Sequence, residues 1–181
     1  NNYTGAWSKA WLATYGSGLG VTDSSEGRGS NNYTRTVDNH GRDNYVLFEF
    51  SKNVIIDKAY LGYVIGDSDM KIWIGTANTP FTSHLTLNDS VLSSMGYTEV
   101  NSTTSSSTRW ADVNAGNMEG NVLIIAAKPD ESNDYFTIKS LAASTTQGGA
   151  LVTPIVIDLN GDGIQTVSRS NSLGSFDLLG S

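Results

Sequence analysis

The sequence predicts an all-β fold, a β-sandwich of the jelly-roll type, and three observations support this prediction. Several segments place apolar residues at every second position, and Val46, Phe48 and Phe50 are the first clear case. Ser, Thr, Asn and Gly, which favour turns and loops, account for 76 of the 181 residues. A parallel α/β fold would need helices between its strands, and the sequence shows almost no helical periodicity. Short strands joined by polar turns are typical of sandwiches.

The individual elements follow from the same alternation. Strands are predicted at residues 45–50, 54–56, 58–65, 70–75, 110–113, 121–127 and 134–141, with a turn at 51–53. Residues 6–12 fit either a strand or one helical turn. A short helix is predicted within 84–95, where the apolar residues have nearly helical spacing. The run of Ser and Thr at 102–108 predicts a loop.

The chain is predicted to contain a main domain and a short appendage. Residues 1–147 form the main β-sandwich, and residues 148–153 form a linker. Residues 154–181 begin with an apolar strand that runs into an acidic loop. Because this piece is too short for a core of its own, we expect it to dock on the main domain or to be a fragment of a neighbouring, split domain.

Charge and composition exclude several classes of protein. The 11 basic and 18 acidic residues give a net charge of −7, so no nucleic-acid partner is expected. No apolar run approaches the ~20 residues of a membrane span, and no signal-peptide pattern opens the sequence. The absence of Cys excludes disulfides and thiolate metal sites, and two His are too few for a zinc site or a Ser triad. A hydrolase is the enzyme alternative, but no acid/base pair or nucleophile–base pair stands out, so the chain is predicted not to be an enzyme.

The sharpest motif lies in the appendage. Asp158, Asn160 and Asp162 alternate along the chain and are followed by Gly163. Oxygen ligands at positions 1, 3 and 5, followed by a Gly that permits a tight turn, wrap a hard cation such as Ca²⁺. A complete EF-hand would have Glu at position 12, where this chain has Arg169. The motif predicts a calcium loop outside an EF-hand, with a metal-free turn as the alternative.

Two further sets of acidic residues are candidate metal ligands. Asp67 and Asp69 stand at a strand edge, where the period of two points both carboxylates to the same side. Like charges placed this way need either a cation between them or solvent around them. The Gly-rich first third of the chain holds a second set, which forms either a calcium site or solvated turns: Asp23, Glu26, Asp38, Asn39 and Asp43.

Aromatic residues leave a second type of binding open. The chain has 4 Trp and 8 Tyr, and exposed aromatic rings form platforms for sugars. The alternative is that they pack into the core. The candidates are Trp7, Trp11, Tyr15, Trp73 and Trp110.

Five segments follow one another along the chain in an order that resembles a known family. They are GLGVTD at 18–23, VDN at 37–39, YVLFEF at 45–50, GDSDMKIWIG at 66–75 and DYFTI at 134–138. Together they resemble the calcium-dependent ligand-binding (peptide-binding) domain of the giant RTX adhesins of Gram-negative bacteria. Residues 154–163 are similar to the strand and calcium loop that continue these adhesins toward their RTX repeats.

The resemblance implies a calcium-stabilised β-sandwich that serves adhesion and biofilm formation and has no catalytic activity. Its expected partners are protein C-termini on host or algal cell surfaces, whose free carboxylate is held with the help of bound Ca²⁺. The expected location is the bacterial cell surface after secretion, as a monomeric module of a very long chain. The implied calcium ligands are Asp23, Asp38, Asn39, Asp67 and Asp69, with Asp43 and Glu49 matching less closely.

The ligand-binding residues are expected to include Asp67 and Asp69, which would act through the bound calcium. Three arginines near the Gly-rich loop are candidates to assist, because a guanidinium pairs well with a carboxylate: Arg28, Arg35 and Arg42. A calcium-dependent carbohydrate-binding module is the alternative function. A structural spacer of a surface protein is a further one.

Overall fold

The computed structural model describes residues 7–24, 26, 35–78, 83–129, 132–144, 146–147, 150–151, 155–159 and 176–177. These residues form thirteen strands and one short helix, so the all-β prediction is confirmed. None of their helices is long and apolar enough to cross a membrane. The elements are β1 (Trp11–Tyr15), β2 (Gly18–Thr22), β3 (Val37–Asp38), β4 (Tyr45–Gly66), β5 (Met70–Gly75), α1 (Asp89–Ser94), β6 (Tyr97–Asn101), β7 (Arg109–Asp112), β8 (Gly120–Ala127), β9 (Asp134–Ser144), β10 (Thr146–Gln147), β11 (Ala150–Leu151), β12 (Ile155–Asp158) and β13 (Phe176–Asp177).

Strand β4 is 22 residues long and pairs with different strands along its length. Its first part pairs antiparallel with β8, from Tyr45 opposite Ala126 to Val54 opposite Gly120. Its second part pairs antiparallel with β9 and with β7. The predicted turn at 51–53 is wrong, because this exposed stretch stays within the strand and the register with β8 shifts there instead.

The two parts of β4 therefore belong to two groups of strands. The first part lies beside β8, β5 and β6 in that order. The second part lies beside β9, β2 and β1 on one side and beside β7 on the other, while β3 and β12 also pair with β9. Side chains of both groups form one hydrophobic core, as in a β-sandwich. Its largest fully buried members include Phe48, Ile72, Ile125, Leu61, Phe136 and Ile138.

The group of strands that contains β8 is also covered on the face that points away from the main core. Trp73 and Ile124 pack there against residues of the segment that carries α1, including Leu87, Leu92 and Met95. The short helix predicted within 84–95 is confirmed at Asp89–Ser94, and the Asn88 side chain caps it by accepting a hydrogen bond from the backbone of Val91. Burial on both faces explains why β8 is a continuous apolar run rather than an alternating one.

The predicted appendage contacts the main sheet through β12. Ile155 pairs with Ala143 and Asp158 pairs with Ser140, both in β9, and Leu159 is buried in the core. The short strands β10 and β11 form a two-stranded ladder that includes part of the predicted linker.

The turn between β1 and β2 packs closely on β4 at Gly62. The carbonyl oxygen of Ser17 in this turn accepts a hydrogen bond from the Thr137 hydroxyl at 2.7 Å. A Cβ atom added at Gly62 would lie 2.0 Å from the same oxygen. Because a backbone atom cannot move aside as a side chain does, this position requires glycine.

We predict that Gly62→Ala lowers the free energy of unfolding by about 1–3 kcal/mol, because the added methyl group displaces the turn. Gly16→Ala is the matched control, since no atom lies within 4 Å of its added Cβ. This control changes the free energy by less than about 0.5 kcal/mol. Urea denaturation measures both values, and equal stability of the two variants would contradict the close approach.

Candidate metal centre

The end of β4 is joined to the start of β9 by backbone hydrogen bonds. Gly66 ends β4 with a φ of 70°, a conformation that favours glycine. The Asp67 backbone N–H then donates to the Asn133 carbonyl at 3.0 Å, and the Tyr135 N–H donates to the Asp67 carbonyl at 3.1 Å. These two hydrogen bonds place the residues after β4 beside Asp134, the first residue of β9.

Three buried carboxylates lie close together where β4 ends and β9 begins, and we call them the Asp67 group: Asp67, Asp69 and Asp134. One carboxylate oxygen from each lies within 4.8 Å of the others, and the residues are 8%, 5% and 0% exposed. Grouped like charges that are removed from water repel one another strongly. The group could hold a metal ion. Asp67 and Asp69 were predicted from the sequence, whereas Asp134 was not.

Hydrogen bonds hold the Asp134 carboxylate from both sides. Its Oδ1 accepts from the Asp69 backbone N–H at 2.7 Å, and its Oδ2 accepts from the Asn39 side-chain amide at 2.7 Å. The Asn39 amide oxygen accepts in turn from the Asp134 backbone N–H at 3.1 Å. The predicted residue Asn39 therefore reaches the Asp67 group and orients it.

The loop at 102–108 covers the same group. Oδ1 of Asp67 accepts hydrogen bonds from the backbone N–H groups of Ser68, at 2.7 Å, and of Ser105, at 3.0 Å. The Ser68 hydroxyl donates to the Ser105 carbonyl at 3.1 Å. The loop is thus bonded to the Asp67 carboxylate and to the hydroxyl of the neighbouring Ser68.

Two cationic side chains that the sequence analysis missed lie beside the Asp67 group. Nζ of Lys128 is 3.9 Å from Oδ2 of Asp69. The Arg109 guanidinium donates to the carbonyl and the hydroxyl of Ser68. Burial lowers the pKa of Arg109, while the charges of Asp67 and Asp69 raise it. Neither cation could be placed from the sequence, because each lies at least 40 residues along the chain from the Asp67–Asp69 pair.

A second acidic cluster, the Asp38 group, consists of Asp23, Glu26 and Asp38 with the amide of Asn44. The Asp23 backbone N–H donates to the Glu26 carboxylate at 2.7 Å, and the Asn44 amide donates to the Asp23 carboxylate at 3.3 Å. Asn44 is buried, and its Oδ1 accepts no hydrogen bond from the described residues. Asp23 and Glu26 are thus bonded to each other, Asn44 joins them, and Asp38 lies close enough for the charges of both acids to act on its carboxylate.

Burial dominates the electrostatics of the Asp38 group. The pKa of Asp38 is raised from 3.8 to about 8, chiefly by burial, and the neighbouring charges of Glu26 and Asp23 contribute to this rise. Hydrogen bonds from the His40 backbone and the Thr36 hydroxyl act in the opposite direction. Burial also raises the pKa of Glu26. The cation-free group therefore favours a protonated carboxyl.

The structure places other predicted residues away from the Asp67 group. Glu49 is buried, and its two oxygens contact Nδ1 of His84 and the backbone N–H of Leu85, both at 2.9 Å. These bonds tie the segment before α1 to β4. Asp43 is half-buried in the turn that precedes Asn44.

Two of the three predicted ligand-binding arginines lie within the described residues, whereas most of the predicted calcium loop does not. Arg42 is exposed and donates to the Ser8 hydroxyl at 2.7 Å, and Arg35 is exposed before β3. Asp158 pairs through its backbone with Ser140 in β9. The Asp158 side chain and all of Arg28, Asn160 and Asp162 lie outside the described residues.

The aromatic candidates divide into packed and exposed rings. Trp7 packs against Tyr45 at a centroid distance of 4.8 Å, and Tyr45 packs against the buried Trp73 at 5.8 Å. Trp11 and Trp110 are 58% and 43% exposed. Only the latter two therefore offer a large indole surface to solvent among the described tryptophans.

Comparison with protein-family models, with curated proteins and with solved structures finds no match to this chain. The resemblance to the RTX adhesin domain therefore stays a prediction.

We predict that the calcium-free protein, kept in chelator, loses stability as the pH rises from about 4 to about 8. The pKa of Asp38 is 3.8 when the side chain is in water and about 8 in the fold, so unfolding in this window releases a proton. The stabilising effect of that bound proton is complete below the lower pKa and disappears as the pH passes the higher one.

Asp38→Asn tests the assignment because its amide carries no titrating proton. Chemical denaturation across this pH range measures the slope, which becomes shallower in the variant. A variant with the slope of the unmodified protein would contradict a raised pKa at Asp38.

Proposed function

We propose that this chain is a non-catalytic, calcium-dependent binding module that holds the free C-terminal carboxylate of a partner peptide. The observation that carries the proposal is the buried Asp67 group, with three carboxylates within 4.8 Å. The resemblance to RTX adhesin domains adds the setting, in which a module secreted to the bacterial surface adheres to proteins of other cells.

The donor set suits a hard divalent cation, and the resemblance to RTX adhesin domains points to calcium among these cations. The Asp67 group offers only carboxylate oxygens, which are the ligands of hard cations. With Lys128 and Arg109 beside it, the group retains one net negative charge when all these side chains are ionised. A divalent cation reverses that charge to one positive, and the site then attracts an anion. An acidic chain can bind an acidic peptide terminus in this way.

The approach of the peptide is expected from the side of Asp67 and Asp69. These residues keep a small exposed fraction, whereas Asp134 keeps none. The loop at 102–108 lies over this side, where Ser105 bonds to Asp67. A peptide carboxylate that displaced the loop would bind the cation itself rather than Asp67, with Arg109 close enough to add a charge-assisted hydrogen bond.

We predict that calcium raises the melting temperature. Binding to the native state alone adds about 2.7 kcal/mol at a hundredfold excess over Kd, which corresponds to a rise of about 5–10 °C for a chain of this length. Asp67→Asn reduces the rise, because the amide keeps the Oδ1 acceptor of the loop but not the charge. Asp89→Asn keeps the full rise, because this exposed first-turn residue of α1 lies outside the Asp67 group and its Oδ1, which accepts a hydrogen bond from the Trp7 indole, is retained.

Differential scanning calorimetry in millimolar Ca²⁺ and in excess EDTA measures these shifts. Identical melting in both buffers would overturn the calcium site. A full rise in Asp67→Asn would place the calcium elsewhere.

We further predict that a short peptide with a free acidic C-terminus binds in the presence of calcium, and that the same peptide with an amidated C-terminus does not bind. Amidation removes the anionic carboxylate that the cation attracts, and Asp67→Asn weakens the same binding. Isothermal titration calorimetry measures both peptides, with Asp89→Asn as the control protein. Equal binding of the amidated peptide, or binding that persists in EDTA, would contradict the proposed mode of recognition.

A further inference from the structure

A groove of about 560 Å³ lies along β7 and the second part of β4, away from the Asp67 group. Its lining includes Asp57, Lys58, Trp110, Asp112, Asn114 and Asn117. Arg109 and Trp110 are neighbours on β7, so their side chains point to opposite faces of the strand. Arg109 contacts Ser68 beside the Asp67 group, whereas Trp110 lines the groove.

Trp110 presents an oriented aromatic surface to this groove. It is 43% exposed, and it stands opposite Tyr60 in the ladder between β4 and β7. The two ring centroids are 5.2 Å apart at an interplanar angle of 53°. This contact holds the indole from one side and leaves its other surface open to solvent.

Polar groups of both hydrogen-bonding types surround the indole. Asp57 and Asp112 supply carboxylate acceptors, Lys58 supplies a cationic donor, and Asn117 supplies an amide. Lys58 stands opposite Asp112 in the ladder. The groove therefore carries one net negative charge beside an apolar ring.

The wall of the groove is held by its own hydrogen bonds. The amide of buried Asn114 bonds to the backbone N–H and carbonyl of Met118, at 2.7 and 2.8 Å. Oδ1 of Asp112 accepts from the Asn114 backbone at 2.9 Å, and the Val113 N–H donates to the Asp57 carbonyl at 3.1 Å. Because the wall is already ordered before binding, a ligand does not have to offset the entropic cost of ordering it.

We propose that this groove binds a neutral carbohydrate. Sugar hydroxyls donate to the two carboxylates and accept from Lys58 and Asn117, while an apolar C–H face of the ring packs on Trp110. An anionic ligand is disfavoured by the two carboxylates, and a purely apolar ligand would strip water from them without compensation. The volume of the groove lies in the range of ~300–1,000 Å³ for small-molecule sites.

The carbohydrate site does not depend on the proposed function. Its two carboxylates are not members of the Asp67 group, the set of described residues that could hold a metal ion. Sugar binding is therefore expected to be the same in EDTA as in calcium, whereas peptide binding is expected to disappear in EDTA. Failure of either proposal can thus be recognised separately.

The test uses saturation-transfer NMR with lactose, maltose, cellobiose and chitobiose as neutral probes, and with 3′-sialyllactose as the anionic probe. Titrations followed by heteronuclear NMR give the affinities in calcium and in EDTA. The proteins are the unmodified chain, Trp110→Ala, Asp112→Asn and the matched control Trp11→Ala, whose indole is exposed outside the groove. Thermal melting confirms that each variant is folded.

We expect at least one neutral disaccharide to bind in both buffers, and sialyllactose to bind more weakly than lactose. Trp110→Ala weakens binding at least tenfold, and Trp11→Ala leaves it unchanged. Asp112→Asn keeps the Oδ1 acceptor of the wall and weakens binding about fivefold, which preserves the test if Trp110→Ala does not fold. Absence of binding to all four neutral probes, or unchanged affinity in the folded groove variants, would overturn the proposal.

Discussion

The structure depends on the continuity of β4 through two groups of strands. Phe48 in its first part and Leu61 in its second part lie in the same core, so this strand joins the two groups covalently as well as through packing. The antiparallel register with β9 extends to its last residue, Gly66, which stands opposite Asp134. The geometry of the Asp67 group is therefore set by the strand pairing that builds the core, and a shift of that register would separate its carboxylates.

The Asp67 group and the Asp38 group offset the electrostatic cost of removing carboxylates from water in two different ways. In the Asp67 group, backbone N–H groups, the Asn39 amide and two cationic side chains face the carboxylates. In the Asp38 group, no such cation is among the causes that act on Asp38, and its raised pKa favours a bound proton instead. Any cation that bound at such a carboxyl would have to displace its proton, which is the chemistry that makes metal binding depend on pH.

The sequence predicts those parts of the molecule that depend on local periodicity. Alternation at Met70, Ile72 and Ile74 identifies β5, and the spacing of two identifies Asp67 and Asp69 as a pair on one side. The turn predicted at 51–53 was wrong because polar, exposed residues continue a strand when the segments on both sides are paired. Asp134 and Arg109 were missed for a different reason. Their place beside the pair follows from long-range registers of β9 and β7 with β4, which no local pattern encodes.

The short strand β7 links the two proposed binding sites physically, because alternate residues of it face each of them. Arg109 donates to the Thr103 carbonyl and to Ser68, and Ser105 donates to Asp67, so the loop before β7 is held at Thr103 and at Ser105. An ion held through Oδ1 of Asp67 would compete with the Ser105 N–H, whereas an ion held through Oδ2 would leave that hydrogen bond intact. The backbone of Trp110 would be unaffected in either case, because its pairing with Tyr60 fixes it directly on β4.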